Sequence, residues 1–202
     1  MKRHLTLLAL ALFPAIAFCE PAKQSDKPAA PTVAKSTKVR LKTTQGEIVI
    51  QLNAEKAPIS VENFLGYVKK KYYDGTVFHR IMPDFMIQGG GSILTEGNLV
   101  PKAPGTPIKN EGQNGLKNQR GTIAMARTSV LDSATSQFFI NVKDNDSLDY
   151  PNNGGYAVFG KVVEGMEVVD KIKNMETQTQ PGSPEKSYPL KPVVITSATV
   201  VE

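Results

Sequence analysis

His79 and Arg80 stand side by side in the stretch FHRIMPDFMIQGGG, which runs on through Phe85 and Met86 to Gln88 and three glycines. The stretch offers a cation, an imidazole, an amide and an apolar surface. It holds no pair of carboxylates, no thiol and no serine beside a base, so neither paired-carboxylate chemistry nor covalent catalysis is indicated. The QGGGS run is not a phosphate loop, because no Gly-Lys-Ser/Thr follows it. Its glycines are expected to mark a bend and a close approach of backbone. The only other histidine is His4 and the only cysteine is Cys19, so no zinc site and no cofactor are expected.

The chain has 202 residues and a formal charge of +5, with 40% hydrophobic and 21% charged residues, which suits one globular domain with extensions. Residues 1–19 read as a secretory signal. A basic head, MKRH, leads into the apolar run LTLLALALFPAIAF, which is too short to span a bilayer and is broken by Pro14. Ala15 and Ala17 supply a small-residue cleavage pattern. Lipid attachment at Cys19 is the lesser alternative, because Phe18 is bulky where a small residue is needed. Removal of the signal takes away Lys2, Arg3 and no acid, leaving 22 basic against 19 acidic residues. That balance is too mild to point to nucleic acid. The processed chain is expected in the periplasm, with no membrane span, no disulfide and a monomeric state. Residues 20–37, rich in Pro, Ala, Lys and Ser, read as a flexible tether. The domain is then 38–202.

Within it, KVRLKTTQGEIVIQL reads as a hairpin, with Val39 and Leu41 alternating with charges and Ile48, Ile50 and Leu52 doing so beyond the turn. Val61, Phe64, Leu65 and Val68 have the spacing of one apolar helix stripe, with Pro58 in the first turn and Lys69 to Lys71 at the end. Ser92 to Gln119 reads as a long functional loop. GTIAMAR, SQFFINV, YAVFGKVV and KPVVITSATVV read as strands, GMEVVDKIKNM as a second helix, and QTQPGSPEKSYP as a loop. Many short strands with only two helices indicate a closed or nearly closed, mainly antiparallel barrel capped by the helices.

Alternation sorts the residues by face. Pro83 and Asp84 demand a turn between Met82 and Met86. A loop of Pro83, Asp84 and Phe85 pairs Ile81 with Ile87 and Arg80 with Gln88. Ile81 and Ile87 then face a core, while Arg80, Met82, Met86 and Gln88 share the other face. Downstream, Ile123, Met125, Phe138, Ile140 and Val142 fall on the core side. Thr122, Ala124, Ala126, Gln137 and Phe139 fall opposite. The polar groups thus gather outside the barrel and the interior is filled, which disfavours a small-molecule carrier.

FHRIMPDFMIQGG, GTIAMAR, SQFFI and VFGKVVEGM, in that order from Val39 onward, resemble the cyclophilin family of peptidyl-prolyl cis–trans isomerases, most of all its exported bacterial branch. The resemblance implies an eight-stranded antiparallel barrel closed by two helices, with a shallow groove on its outer face. It implies His79, Arg80 and Gln88 as the catalytic set. Phe85, Met86, Ala126, Gln137, Phe139 and Leu148 would bind substrate. It also implies proline-containing peptides and unfolded exported proteins as partners.

That chemistry fits the inventory. Rotating an X-Pro bond makes and breaks no bond, so no nucleophile, general base or metal is required. Arg80 would donate to the proline nitrogen in the twisted state, with Gln88 holding its guanidinium from across the ladder. Strict alternation sets His79 on the face opposite Arg80, where it is equally a structural residue. Leu148 is nearly as well read as core. Two departures stand out. Many eukaryotic relatives carry a tryptophan where this chain has Ser147, a residue associated with cyclosporin binding, so weak or no cyclosporin binding is expected. Arg127 stands where many members have asparagine. A non-catalytic proline-peptide binder or holdase using the same groove is the alternative function.

Overall fold

The computed structural model describes residues 37–179 and 184–201. The expected signal, residues 1–19, with Cys19, and the tether up to residue 36 lie outside the described residues. No helix among the described residues is long and apolar enough to cross a membrane.

The expected first hairpin forms from β1 (Lys38–Thr43) and β2 (Gly46–Leu52), with Val39 opposite Ile50 and Leu41 opposite Ile48. All four side chains are fully buried. Helix α1 (Pro58–Lys69) follows, with Pro58 in the first turn and Val61, Phe64, Leu65 and Val68 on its buried face. Its N-cap, Ala57, has no side chain able to cap. Glu111 does this from afar in sequence: its carboxylate accepts the Ile59 and Ser60 amides, 52 and 51 positions away, at 3.0 and 2.8 Å. Two orphan donors of the first turn are thereby satisfied by an anion at the positive end of the helix.

The remaining elements are β3 (Thr76–Ile81), β4 (Met86–Thr95), β5 (Asn98–Pro101), β6 (Thr122–Met125), β7 (Phe138–Asn141), β8 (Val158–Glu164), α2 (Met166–Lys173), β9 (Thr177–Thr179), β10 (Lys186–Pro189) and β11 (Val193–Val201). The strands pair in the order β3-β11-β1-β2-β8-β6-β7-β4-β5, and a further β3–β4 pairing closes the ring. The result is a closed eight-stranded barrel, antiparallel throughout, with β5 extending β4 beyond the closure. This is the architecture expected from the sequence.

Its interior is packed solid. Phe64 of α1 plugs the ring, 5.2 Å from Tyr73, 5.6 Å from Phe138 and 5.2 Å from Phe159. Val169 and Ile172 of α2 join the same core. Ile81, Ile87, Ile123, Met125, Phe138, Ile140 and Val142 all lie in it, as alternation required.

Two segments expected to be loops are partly strand. The stretch from Ser92 turns back as the β4–β5 hairpin, with Thr95 paired to Asn98. Glu96 and Gly97 both take positive φ, +52° and +80°, the backbone of a tight two-residue hairpin turn. Within the second segment, Gln178 and Thr179 of β9 likewise pair with Lys186–Pro189 of β10. Both pairs are held by main-chain bonds, in short strands whose flanking glycines and prolines mask the pairing.

Candidate active site

A second apolar cluster lies outside the barrel core. It is built from buried Met86, Ala124, Phe139 and Val158, with Met82, Phe85, Leu116, Ala126, Leu148 and Tyr156 packed against it. These residues come from the non-core faces of β4, β6, β7 and β8 and from the loops beside them. Their side chains must leave the barrel because their neighbours fill it.

The turn between β3 and β4 has the expected register. The Met82 amide donates to the Met86 carbonyl at 3.0 Å, and Arg80 stands opposite Gln88. Phe85 is thereby placed at the loop tip, over the outer cluster. The Phe85 carbonyl accepts the Val142 amide at 3.2 Å and the Asn145 side-chain amide at 2.8 Å, so the turn is pinned to β7 and its following loop.

A groove runs across this cluster, lined by Arg80, Phe85, Met86, Gln88, Ala126, Arg127, Phe139, Leu148 and Tyr156. Seven of the nine sequence-predicted site residues are on that wall. Gln137 stands next to it, accepting a 2.9 Å hydrogen bond from the Gln88 amide through its Oε1. Met86 and Phe139 are 1% and 4% exposed, so the floor is dry. A larger cleft bordered by Gln51, Asn53, Lys117 and Lys161 lies elsewhere and includes none of the nine.

The glycines of QGGGS do what close packing requires. A Cβ on Gly91 would stand 2.4 Å from Gln137 Cγ, so only glycine leaves that side chain its place. Gly90, at φ +80°, sits against the Phe138 and Tyr73 rings. One glycine therefore seats a groove residue and the other a core ring.

Arg80 is held differently from the sequence expectation. Gln88 is across the ladder as read, but its amide goes to Gln137. The guanidinium is gripped by Glu185, with Nε donating to Oε1 at 2.7 Å and Nη2 to Oε2 at 2.6 Å. The Arg80 guanidinium holds the Glu185 carboxyl down at about 2, well below the usual carboxylate range. The guanidinium also lies 6.0 Å from the Phe85 ring centroid.

His79 departs from strict alternation. Phe78 pairs with Gly89 and Arg80 with Gln88, so His79 is an extra residue, a bulge. Phe78 and Ile81, three positions apart, consequently both reach the core, while His79 is neither in that core nor on the groove wall. Burial pushes its imidazole below the ordinary histidine range, and Arg80 beside it adds to the shift. The unfolded ring, with a pKa of about 6.5, therefore binds a proton where the folded ring does not. Stability tied to His79 is present above that pH and is lost as pH falls through the lower folded value. We expect denaturant titrations to show a stability decline below pH 6.5 that is flatter in His79→Gln. An unchanged decline would contradict this assignment.

Tyr156 was not singled out in the sequence, and Arg127 was noted only as a departure. The Arg127 guanidinium lies 4.3 Å over the Tyr156 ring and donates through Nη1 to the Thr128 carbonyl at 2.9 Å and through Nη2 to the carbonyls of Asn153 and Gly155. Tyr156 in turn meets Phe139 edge to face at 5.8 Å. The stack closes one end of the groove.

Behind these walls runs a buried asparagine relay. The Asn145 amide donates to Asn141 Oδ1 at 2.7 Å, and the Asn141 amide donates to Asn118 Oδ1 at 3.2 Å. The Asn118 amide reaches Asp149 Oδ1 and the carbonyls of Leu148 and Tyr156 at 3.1 to 3.3 Å. Three groove residues, Phe85, Leu148 and Tyr156, are thus tied by their carbonyls to one polar chain. Asparagine suits the task because a single side chain both donates and accepts.

Residues 38–200 match the family model described as cyclophilin type peptidyl-prolyl cis-trans isomerase/CLD. The chain is 54% identical over 168 residues to peptidyl-prolyl cis-trans isomerase A of Dickeya dadantii, covering 83% of this chain and 86% of that protein. It is 49% identical over 168 residues to peptidyl-prolyl cis-trans isomerase B of Escherichia coli, covering 81% and 99%. Among solved structures it is similar in fold to a Cryptosporidium parvum cyclophilin type isomerase, with a TM-score of 0.67 at 24% identity over 83% of this chain and 98% of that one.

Proposed function

The chain belongs to the cyclophilin-type peptidyl-prolyl cis–trans isomerase family and is an enzyme of that class, and from that premise we propose that Arg80 drives rotation about X-Pro bonds by donating to the proline nitrogen in the twisted transition state. The planar bond resists rotation by roughly 18–20 kcal/mol because of amide resonance. In the twisted state resonance is lost and the nitrogen regains a lone pair. A donor aimed at that nitrogen therefore favours the transition state over the ground state, as catalysis requires.

One observation carries the reading: the Arg80 guanidinium, fixed by Glu185, stands on the groove wall beside a buried apolar floor of Met86 and Phe139. A guanidinium stays charged at all working pH values and offers donors in a rigid plane. The dry floor of Met86 and Phe139 strengthens its field. The proline ring would rest on Met86, Phe139 and Leu148 beneath Phe85. Ala126 leaves room for the residue before it. Gln137, whose Oε1 is taken by Gln88, keeps its Nε2 for the peptide backbone.

The test is acceleration of cis-to-trans interconversion of an Ala-Pro peptide by the purified protein. No acceleration, with suppression of client aggregation retained, would favour a binder that uses the groove without catalysis. In the same assay cyclosporin should inhibit weakly, since Ser147 offers no indole; nanomolar inhibition contradicts that weight on Ser147. The clients are exported proteins, a reading supported by the signal-like residues 1–19. Periplasmic recovery of a chain whose mass lacks that segment would bear this out, and an intact cytoplasmic chain would overturn it.

A further inference from the structure

We propose that Glu185 is the positioning residue of this groove: it holds the Arg80 guanidinium by one edge so that Nη1 is the donor left for the substrate. The inference rests on the reading of Arg80 as transition-state donor. Its basis is the two-bond fork, Nε to Oε1 at 2.7 Å and Nη2 to Oε2 at 2.6 Å. A fork of this kind fixes the plane of the guanidinium as well as its distance, which a single amide contact cannot do. Nε is thereby used, and Nη2 is half used. Nη1 has no protein partner among the described residues, and Arg80 lines the groove.

The geometry of the fold makes the contact durable. Glu185 immediately precedes β10, which is paired to β9, so the carboxylate stands at the start of a paired strand. It reaches Arg80 from 105 positions away. Arg80 and Glu185 have equal side-chain exposure, 31%. Each is thus about one-third exposed, and of the two only Arg80 lines the groove. Glu185 stays ionised through the working pH range because its carboxyl is held at about 2. Among the residues on the groove wall there is no carboxylate that could compete for the guanidinium. Gln88, the neighbour across the ladder, is already committed to Gln137.

An arginine freed of this grip samples several rotamers and presents Nη1 to the groove only part of the time. The loss should fall on turnover rather than on peptide binding, because the apolar floor is untouched. Glu185→Gln keeps the shape but sets an amide NH₂ against an Arg80 donor. We expect its kcat to fall by about tenfold, with KM changed less than about threefold, the scale of losing one well-ordered side-chain conformation. Glu185→Asp keeps the charge on a shorter stem and should recover part of the rate. In the Arg80→Ala background Glu185→Gln should cause no further loss. The Arg80 Nε–H signal in NMR spectra should move upfield in Glu185→Gln, a readout independent of catalysis.

An unchanged rate in a folded Glu185→Gln overturns the proposal. A raised rate does so too, since Glu185 would then be a shield over Arg80. Equal losses in the wild-type and Arg80→Ala backgrounds would show a merely structural role. If Arg80→Ala itself retains full activity while the Nε–H signal still moves, the fork exists but the donor reading fails.

Discussion

Arg80→Ala is expected to lower kcat/KM for an Ala-Pro peptide by about 100- to 1000-fold, the range for removing one preorganised transition-state donor. The side chain lines the groove, with Nε and Nη2 held by Glu185 and Nη1 uncommitted among the described residues. Arg80→Lys should recover little, because an ammonium cannot make the two-bond fork with Glu185 or present a planar edge. The fold should survive both changes. Arg80 is partly exposed, and the core residues on either side of it, Phe78 and Ile81, are untouched. Glu185, released from Arg80, moves back toward the ordinary carboxylate range, because the arginine is the largest cause of its lowering. Circular dichroism and thermal melting check the fold while peptide exchange reads the rate. A variant that is folded and retains more than a tenth of the activity would contradict the donor role.

The second large effect is on stability. Asn141→Ala cuts the relay behind the groove at its middle. Asn141 is fully buried, as are its neighbours Asn118 and Asn145 to within a few per cent. The change removes the acceptor of the Asn145 amide and the donor to Asn118 Oδ1 and Thr122 Oγ1. Each group left unsatisfied in the interior costs about 1–3 kcal/mol. A total loss of about 2–4 kcal/mol follows, or a fall in Tm of roughly 5–15 °C for a domain of this size. Peptide affinity should drop as well, because Phe85 and Leu148 are held by carbonyls that the relay clamps. Calorimetry and denaturant titration measure the first effect. A destabilisation below about 1 kcal/mol would mean that water or a local shift satisfies the orphaned groups.

Much of the barrel was legible because its evidence is periodic and local. Alternation at Ile81, Ile87, Ile123, Phe138 and Ile140 marks one face, and the structure puts all of them in the core. The same alternation sent Met86, Ala126 and Phe139 outward, where they form the groove. The three-residue turn followed from the same rule, since a one-residue slip would have mixed polar and apolar side chains on each face. His79 escaped that rule through a bulge, which inserts a residue without leaving a mark in the pattern. The β4–β5 hairpin was read as loop because its strands are short and set among Gly, Pro and Asn, although Ile93 faces Val100 and Leu94 faces Leu99 across it.

Contacts between residues far apart in sequence were the least legible. Gln88 was assigned to Arg80 because the two are opposite in the ladder, and that register is right. What decides the pairing is a carboxylate 105 positions away, which outcompetes a neutral amide for a guanidinium. Glu111 capping α1 and Asn118 clamping Leu148 and Tyr156 belong to the same kind of contact. Both come from the later part of the Ser92 to Gln119 segment, whose length marked it as functional while its composition concealed what it does. Its glutamate and asparagines act on backbone groups that no sequence pattern places beside them.

Nuclear magnetic exchange on an Ala-Pro peptide tests the central claim most directly, because it reads binding and on-enzyme interconversion in one sample. The account predicts that wild type accelerates the exchange. Folded Arg80→Ala should bind the peptide within about threefold of wild-type affinity, since the apolar floor supplies most of the binding, while exchange on the protein falls by about 100-fold or more. Retained exchange in Arg80→Ala would contradict the account. So would a loss of affinity that matches the loss of rate, because Arg80 would then hold the ground state and the transition state equally.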